Sequence, residues 1–92
     1  MRLNELAEKY RKNAEEILKN PDRYGLNIVN QAWILAKRDI RKALITLAKR
    51  NPRKCVSCAY SMPDEREIVN IKLRRCELKL KEEKCEKWRS IL

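Results

Sequence analysis

Apolar residues recur at helical spacing over the first twenty positions. They are Leu3, Ala7, Tyr10, Ala14 and Ile17. The steps between them alternate between four and three residues, which is the spacing of one face of an α-helix. We therefore predict an amphipathic helix from Leu3 to about Asn20. Pro21 and Gly25 then interrupt the pattern, so a turn is expected before the next element.

A second helical pattern runs from about Asn27 to Arg50 and stops before Asn51-Pro52. Its apolar members are Val29, Ala32, Trp33, Ala36, Ile40, Ala43, Leu44 and Leu47. At about 100° per residue these positions form one continuous arc. The pattern predicts a single long helix that packs antiparallel to the first helix through this arc.

The tail supports two interpretations. In the first, Ser61 caps a helix that runs from Pro63 to about Glu82, because apolar residues continue there at helical spacing. In the second, a short turn at 63–67 precedes two alternating runs, 69–73 and 76–80, which fold back on each other at Arg74-Arg75. We favour the second interpretation because it brings the cysteines of the tail within reach of one another.

Four cysteines all lie in the last part of the chain. They are Cys55, Cys58, Cys76 and Cys85. A two-residue spacing between the first two lets both sulfurs point at one ion, and four thiolates suit a tetrahedral site for zinc or an iron–sulfur cluster. Disulfides and unpaired buried thiols are the alternatives. The spacing favours a metal site made by all four.

Two aromatic residues, Tyr60 and Trp88, accompany the cysteines. The outline resembles small four-cysteine modules of archaea and bacteria, which have C-x2-C, a nearby aromatic, a lone third cysteine and a closing C-x2-W or C-x2-F. The resemblance implies either a [4Fe–4S] cluster, as on small subunits of certain radical decarboxylases, or a zinc site, with Tyr60 and Trp88 as a lid over the metal. A looser likeness is to the zinc-ribbon subunit of archaeal ribonuclease P, but that ribbon ends in a second C-x2-C, which this chain lacks.

The length and composition limit the architecture. A chain of 92 residues makes one domain with a small core, so a metal would add useful stability. We expect a mainly α-helical domain, with a helical platform at 1–54 and a cysteine-rich metal-binding knot, which includes a short β-hairpin in the folded-back interpretation, at 55–92. The Lys- and Glu-rich composition is typical of heat-loving organisms. The N-terminus has no apolar leader and no long uncharged apolar run follows, so a soluble cytoplasmic protein is expected.

Positive charge is concentrated in the middle of the chain. Residues 27–54 carry eight cationic residues and one acid, which accounts for +7 of the net charge of +10. The cations are Lys37, Arg38, Arg41, Lys42, Lys49, Arg50, Arg53 and Lys54. A face that forgoes i,i+4 pairs with acids suits a polyanionic partner such as RNA or DNA. The alternative is an ordinary solvated face of a Lys-rich protein.

These patterns favour binding over catalysis. The chain has no histidine and no glycine-rich phosphate loop, so acid–base or phosphoryl-transfer chemistry has no evident residues. We expect a nucleic-acid-binding or ribonucleoprotein accessory module, without a membrane or a small-molecule substrate as partner. A small [4Fe–4S] protein or cluster-bearing subunit is the first alternative. A protein–protein adaptor that uses Ile34, Leu35 and Ile45 is the second.

Overall fold

The architecture is mainly helical with a small antiparallel sheet, as the sequence predicts. The computed structural model describes residues 2–78 and 86–92. The elements are α1 (Leu3–Lys19), α2 (Leu26–Ala36), α3 (Ile40–Arg50), β1 (Ser61–Pro63) and β2 (Arg74–Cys76). Single 3-10 turns lie at Pro21–Arg23 and Cys55–Ser57. Helix α1 packs mainly against α2 and also against α3.

Helix α1 confirms the first predicted element almost to the residue. Its buried side chains are Leu6, Tyr10, Ala14 and Ile17. They follow the spacing of four and three residues that places side chains on one helical face. The helix ends where Asn20 precedes a proline, because the proline ring disfavours helical backbone at the residue before it.

The predicted single helix from Asn27 to Arg50 is wrong, because the chain breaks between α2 and α3. Lys37 closes α2, and Asp39 adopts extended backbone as the N-cap of α3. The Asp39 carboxylate accepts a hydrogen bond from the Lys42 amide at 3.1 Å. Capping satisfies an amide that a helix leaves without a partner at its start, which favours a new helix here over continuation of the old one.

The break also corrects the assignment of Trp33 to the core. Trp33 is 52% exposed, whereas Leu35 is 3% exposed. Helix α2 turns Ala32 and Leu35 inward, a pair with the i,i+3 spacing of one face. The predicted arc placed Trp33 inside because it averaged over two helices whose faces are not in phase. Ile40 and Leu44 are buried as predicted, and Leu47 packs partly buried against the core.

A tight turn connects α3 to the cysteine-rich tail. The Lys54 amide donates to the Asn51 carbonyl at 3.3 Å, which closes a four-residue turn with Pro52 in its second position. Arg53, in the third position, has φ 59°. These features define a type II turn, whose third residue requires a positive φ.

The tail folds back, but at a different place from the predicted hinge. Strands β1 and β2 pair antiparallel, with Ser61 opposite Cys76 and Pro63 opposite Arg74. The predicted hinge at Arg74-Arg75 is therefore a strand. The reversal is made by residues 64–73, which we call the turn segment. The alternative helix from Pro63 is wrong over the described residues, and its end at 79–82 lies outside them, as does the end of the run 76–80.

Side chains in the turn segment hold its backbone in turns. The Asp64 carboxylate accepts from the Arg66 amide at 2.8 Å, and the Asn70 side-chain oxygen accepts from the Lys72 amide at 3.0 Å. Such bonds offer the backbone a local partner that competes with helical hydrogen bonding. They explain why a sequence with helical periodicity does not form a helix here.

The core lies between the three helices and the turn segment. Beyond α1 its buried members are Ala32, Leu35, Ile40, Leu44, Ala48, Val69, Ile71 and Ile91. Two hydrogen bonds fasten the turn segment to α1: the Tyr10 hydroxyl donates to the Asn70 carbonyl at 3.4 Å, and the Asn13 amide group donates to the Ile68 carbonyl at 3.0 Å. Burial raises the pKa of Tyr10 to about 12, so its hydroxyl keeps the proton that it donates.

No helix in the described part of the chain combines the length and apolar character needed to cross a membrane.

Candidate nucleic-acid interface and cysteine cluster

All eight cations predicted for the interface are exposed. Within the described residues, the ion pairs join Arg11 to Glu8 and Glu15 on α1, and Arg75 to Glu65 in the tail. The cations on and beside α3 that form no ion pair with a described carboxylate include Lys37, Arg38, Lys42, Lys49 and Arg50. Their charge therefore faces solvent.

Part of this charge lines a groove between α3 and the turn segment. Arg38, Lys42 and Arg50 stand on the helical side, and Lys72 stands on the opposite side. The apolar residues between these walls are Ala43, Leu47 and Ile71. We call this site the cationic groove. Asp39 also lines it, but its carboxylate is engaged as the cap of α3.

The cationic groove continues beside α2. Arg38, Ile71 and Lys72 line both the part along α3 and a second part next to Ile34 and Val69. Ile34 is 60% exposed and gives this end of the groove an apolar surface. The two parts thus lie side by side, and the cations Arg38 and Lys72 line both.

Lys72 is a candidate interface residue that the sequence analysis missed. The Asn70 side chain holds the Lys72 backbone, while Val69 and Ile71 on either side of Asn70 are buried in the core. The alternation of buried and exposed positions, together with an asparagine two residues before Lys72, is the sequence signal that could have indicated an exposed turn lysine here. Its position opposite α3 depends on long-range contacts and has no local signal.

The other predicted cations lie outside the cationic groove. Arg41 points toward α1, where its Nε donates to the Asn4 side-chain oxygen at 2.8 Å. The Lys37 amine lies 4.9 Å from the centre of the Trp33 ring, within the range of a cation–π contact. Lys49 is exposed but does not line the groove. The predicted basic face is therefore several surfaces with different surroundings.

The turn after α3 carries the last two predicted cations. The Arg53 guanidinium lies 5.7 Å from the centre of the Trp88 ring. The Trp88 indole N–H donates to the Lys54 carbonyl at 3.1 Å. Trp88, predicted as a lid over a metal, thus packs against the residues that precede Cys55.

The C-x2-C segment is held by local bonds and by the end of the chain. Cys55 begins a 3-10 turn that the Cys58 amide closes by donating to the Cys55 carbonyl at 3.1 Å. Cys58 is 4% exposed, and its sulfur accepts a hydrogen bond from the Tyr60 amide at 3.5 Å. The C-terminal residues run antiparallel alongside, with Ser90 opposite Cys58. An amide aimed at a cysteine sulfur stabilises negative charge there, as in metal-bound thiolates.

Cys76 lies on β2, close to this segment. Its partner in the sheet is Ser61, and the strand contacts the 3-10 turn that carries Cys55. Arg74 shares the face of β2 with Cys76, because residues two apart on a strand point the same way. Strand pairing thus brings Cys76 toward the C-x2-C segment by a route different from the predicted one.

Arg74 links the two parts of the tail. Its guanidinium donates to the Ser61 hydroxyl at 3.2 Å and to the Val56 carbonyl, which lies between Cys55 and Cys58. Burial lowers the pKa of Arg74, and the neighbouring Tyr10, Cys55 and Cys58 side chains oppose that shift. Arg74 is therefore turned inward and is not part of the exposed basic surface.

The four-cysteine metal site stays a prediction. Cys58 and Cys76 form no disulfide with a described residue. Among residues 2–78 and 86–92, no group of three or more His, Cys, Asp or Glu side chains is arranged to hold a metal ion. Cys85, the fourth predicted ligand, lies outside the described residues. Tyr60, the other predicted lid residue, is half-buried and accepts a hydrogen bond from the Glu77 amide at its carbonyl.

Comparison with known protein families, with curated proteins and with solved structures found no match. The charges and contacts of the chain itself are therefore the basis on which we infer a function.

Proposed function

We propose that this protein is a small basic module that binds nucleic acid, either RNA or DNA, alone or as an accessory of a ribonucleoprotein. The observation that carries the proposal is the set of exposed cations on and beside α3 that pair with no described carboxylate. Like charges placed together on a helix destabilise it slightly. A polyanion neutralises these charges, so the repulsion between them is relieved on binding and the affinity increases.

Phosphate contact is the expected mode of binding. Lysine and arginine side chains on a helix surface meet phosphate oxygens without reading the bases. Helix α3 contains no Asn or Gln, which are the side chains that recognise adenine in the major groove. Binding should therefore depend strongly on salt and weakly on nucleotide sequence.

We further propose that Cys55, Cys58, Cys76 and Cys85 hold one metal centre that braces the tail. Zinc is the first candidate, and a [4Fe–4S] cluster is the alternative. Support comes from the chemistry of the donors, from the Tyr60 amide aimed at the Cys58 sulfur and from the contact between β2 and the 3-10 turn. Such a metal would tie the two halves of the tail together and stabilise the fold.

Metal analysis of protein purified without oxygen tests this second proposal. We expect one equivalent of zinc and a colourless sample, whereas a brown sample containing iron would favour the cluster. Replacing Cys76 or Cys85 with serine should release the metal and lower the melting temperature, as replacing Cys58 should. A Cys76→Ser variant that keeps all its metal and melts unchanged would refute a shared site.

We do not assign the protein a catalytic role. The proposal of binding alone is supported by the absence of histidine from the sequence and by the character of the cationic groove, whose polar side chains are mostly cations. General acid–base chemistry needs a group that exchanges protons near neutral pH, and Lys or Arg side chains in water do not.

The binding proposal is tested by titrating labelled RNA and DNA with the protein at several salt concentrations. If several cations each meet a phosphate, the affinity for duplex DNA should fall by about 0.9 log units per contact for each log unit of salt. A variant with Arg38, Arg41 and Lys42 all changed to Glu should lose binding and keep its helicity and metal content.

The matched control reverses charge on α1, where Lys9 and Lys12 are changed to Glu. Acids already surround these lysines in the sequence, so this change should weaken binding far less. Undetectable binding of the unaltered protein to both single- and double-stranded nucleic acid at low salt would rule the proposal out.

A further inference from the structure

Only part of the positive surface has the shape of a binding site. In the cationic groove, cations from two separate elements face each other across an apolar floor. Arg41 instead lies against α1, where it donates to Asn4, and Lys49 is exposed outside the groove. Resting on the proposed function, we propose that the cationic groove is the track for one strand of nucleic acid, and that Lys72 is one of its phosphate-binding residues.

The two walls suit the chemistry of a single strand. Arg38, Lys42 and Lys72 offer charge to a sugar–phosphate backbone from both sides, while Leu47 and Ile71 offer apolar surface between them. Single strands expose their bases as well as their phosphates, so a cationic channel with an apolar floor contacts both parts. At the α2 end, the exposed Ile34 side chain extends the apolar contact.

The size of the site separates a strand from a duplex. The whole molecule measures 41 × 24 × 18 Å, and the cationic groove occupies the space between one helix and the turn segment beside it. A duplex is a stiff rod whose major groove alone is about 12 Å wide, so we expect it to contact the cations at the edges of a groove between two adjacent elements. A flexible single strand can also bend toward the apolar residues between them.

The wall that carries Lys72 is fixed before any ligand arrives. Asn70 holds the Lys72 amide with its side chain and is itself held through its carbonyl by the Tyr10 hydroxyl. Asn13 holds the neighbouring Ile68 carbonyl. A site whose walls are already in place avoids the entropy cost of ordering them on binding.

A pair of double variants with equal charge change tests the assignment. The groove variant carries Arg38→Glu and Lys72→Glu, and the matched variant carries Arg41→Glu and Lys49→Glu. The probes are fluorescein-labelled single strands of RNA and DNA of about 12 nucleotides, within the range that one small domain covers, and a duplex of the same length. We expect the unaltered protein to bind the single strand at least about tenfold more tightly than the duplex. The groove variant should lose about 100-fold in single-strand affinity, and the matched variant less than about tenfold.

A variant with unchanged net charge tests whether the position of Lys72, and not only the total charge, determines the affinity. Asn70→Ala removes no charge and removes only the side-chain hydrogen bond to the Lys72 amide, so single-strand affinity should fall by about threefold while circular dichroism shows unchanged helicity. If the groove variant does not fold, Lys72→Gln takes its place, and the same ranking against Lys49→Gln is expected. Equal losses for the groove and matched variants would overturn the assignment of the groove and leave the proposed function standing.

Three other results would also decide the matter. Tighter binding of the duplex would overturn the inference and favour insertion of α3 into the major groove. Competition by polyglutamate at the same charge concentration as the single strand would overturn it in favour of an acidic protein partner. No binding of any nucleic acid by the unaltered protein would overturn the proposed function itself.

Discussion

Helices α1 and α3 are built alike on their buried sides and oppositely on their exposed sides. Each turns an apolar face into the same core. Helix α1, at 3–19, carries four cations and four acids, whereas α3, at 40–50, carries four cations and no acid. The solvent-facing charge of α1 is balanced within the helix, and that of α3 is not.

The hydrogen bonds show how α1 achieves this balance. The Arg11 guanidinium donates to Glu15 at 2.6 Å and, three residues back, to both oxygens of Glu8. Glu8 and Lys12 also have the i,i+4 spacing of an ion pair, but Glu8 pairs with Arg11, whose planar guanidinium can hold two carboxylates at once. On α1 charge serves the helix itself. The cations of α3 form no ion pair with a described carboxylate, which is why we propose that they bind a partner.

The largest expected effect tests the similarity of the buried sides. Leu6→Ala on α1 and Leu44→Ala on α3 should each lower the free energy of unfolding by about 2–5 kcal/mol, because both side chains are fully packed and each change leaves a cavity. Chemical denaturation measures this. Lys37→Ala, at an exposed position, should cost little. A large loss for one leucine and a negligible loss for the other would show that the two helices do not share one core.

The next effect concerns the starts of the two helices. Asp39 caps α3 with its side chain, whereas Arg2 at the start of α1 makes no such bond within the described residues. Asp39→Ala should cost about 1 kcal/mol of stability, and Arg2→Ser should add up to about 1 kcal/mol. Thermal melts followed by circular dichroism measure both changes. Equal and negligible effects would mean that neither end limits helix formation.

A single substitution can give α3 the charge pattern of α1. Thr46 is exposed and lies four residues from both Lys42 and Arg50, so Thr46→Glu creates two i,i+4 pairs. Each should add about 0.2–0.5 kcal/mol. The same carboxylate should weaken nucleic-acid binding, because Thr46 lines the cationic groove.

Thr46→Gln is the control for this exchange, since it has similar length and helix propensity without the charge. The difference between the Glu and Gln variants isolates the electrostatic part. If the Glu variant gains stability and binds nucleic acid as tightly as the Gln variant, the positive charge of α3 does not contribute to binding.

The smallest expected effect is a decrease in the thermal stability of α1 at low pH. The hydrogen bond from Arg11, with the nearby charges of Arg11 and Lys12, lowers the pKa of Glu8 from its usual 4.5, against a small opposing effect of burial. The associated stability is present above that pH and is lost as the pH falls through the lowered value in the folded state. The melting temperature should therefore drop slightly below pH 4.5, and the drop should be smaller in Glu8→Gln. Because the pair is exposed, an unchanged profile in that variant would mean that it contributes nothing measurable.

The sequence predicts those structural features that depend on residues close together along the chain. The spacing of Leu3, Ala7, Tyr10, Ala14 and Ile17 is enough to place α1 and most of its buried face, although Leu6 is buried and Leu3 and Ala7 are only partly buried. The excess of cations at 27–54, where Asp39 is the one acid, is enough to predict an exposed basic surface. The break before α3 also had a local sign in Asp39, a preferred capping residue. It was overridden because the apolar residues on either side continue at roughly helical spacing.

The rest depends on contacts between distant residues. Strands of three residues, such as β1 and β2, are too short to show a period of two. Lys72 comes to line the cationic groove because Tyr10 and Asn13 position the turn segment, and neither contact has a signal in the neighbouring sequence. The same holds for the predicted metal ligands, because the pairing of β1 with β2 brings Cys76 toward Cys55 and the sequence spacing of the two cysteines does not indicate this.

The hydrogen bond between Tyr10 and Asn70 joins residues 60 positions apart, and this has a consequence for biosynthesis. While the ribosome has released only the three helices, α3 is a cationic helix with one wall of the groove missing. The second wall is added when the turn segment emerges and docks on α1. A nascent chain that ends before Lys72 carries the positive charge of α3 without the second wall, and it gains the complete groove only after the turn segment has been made.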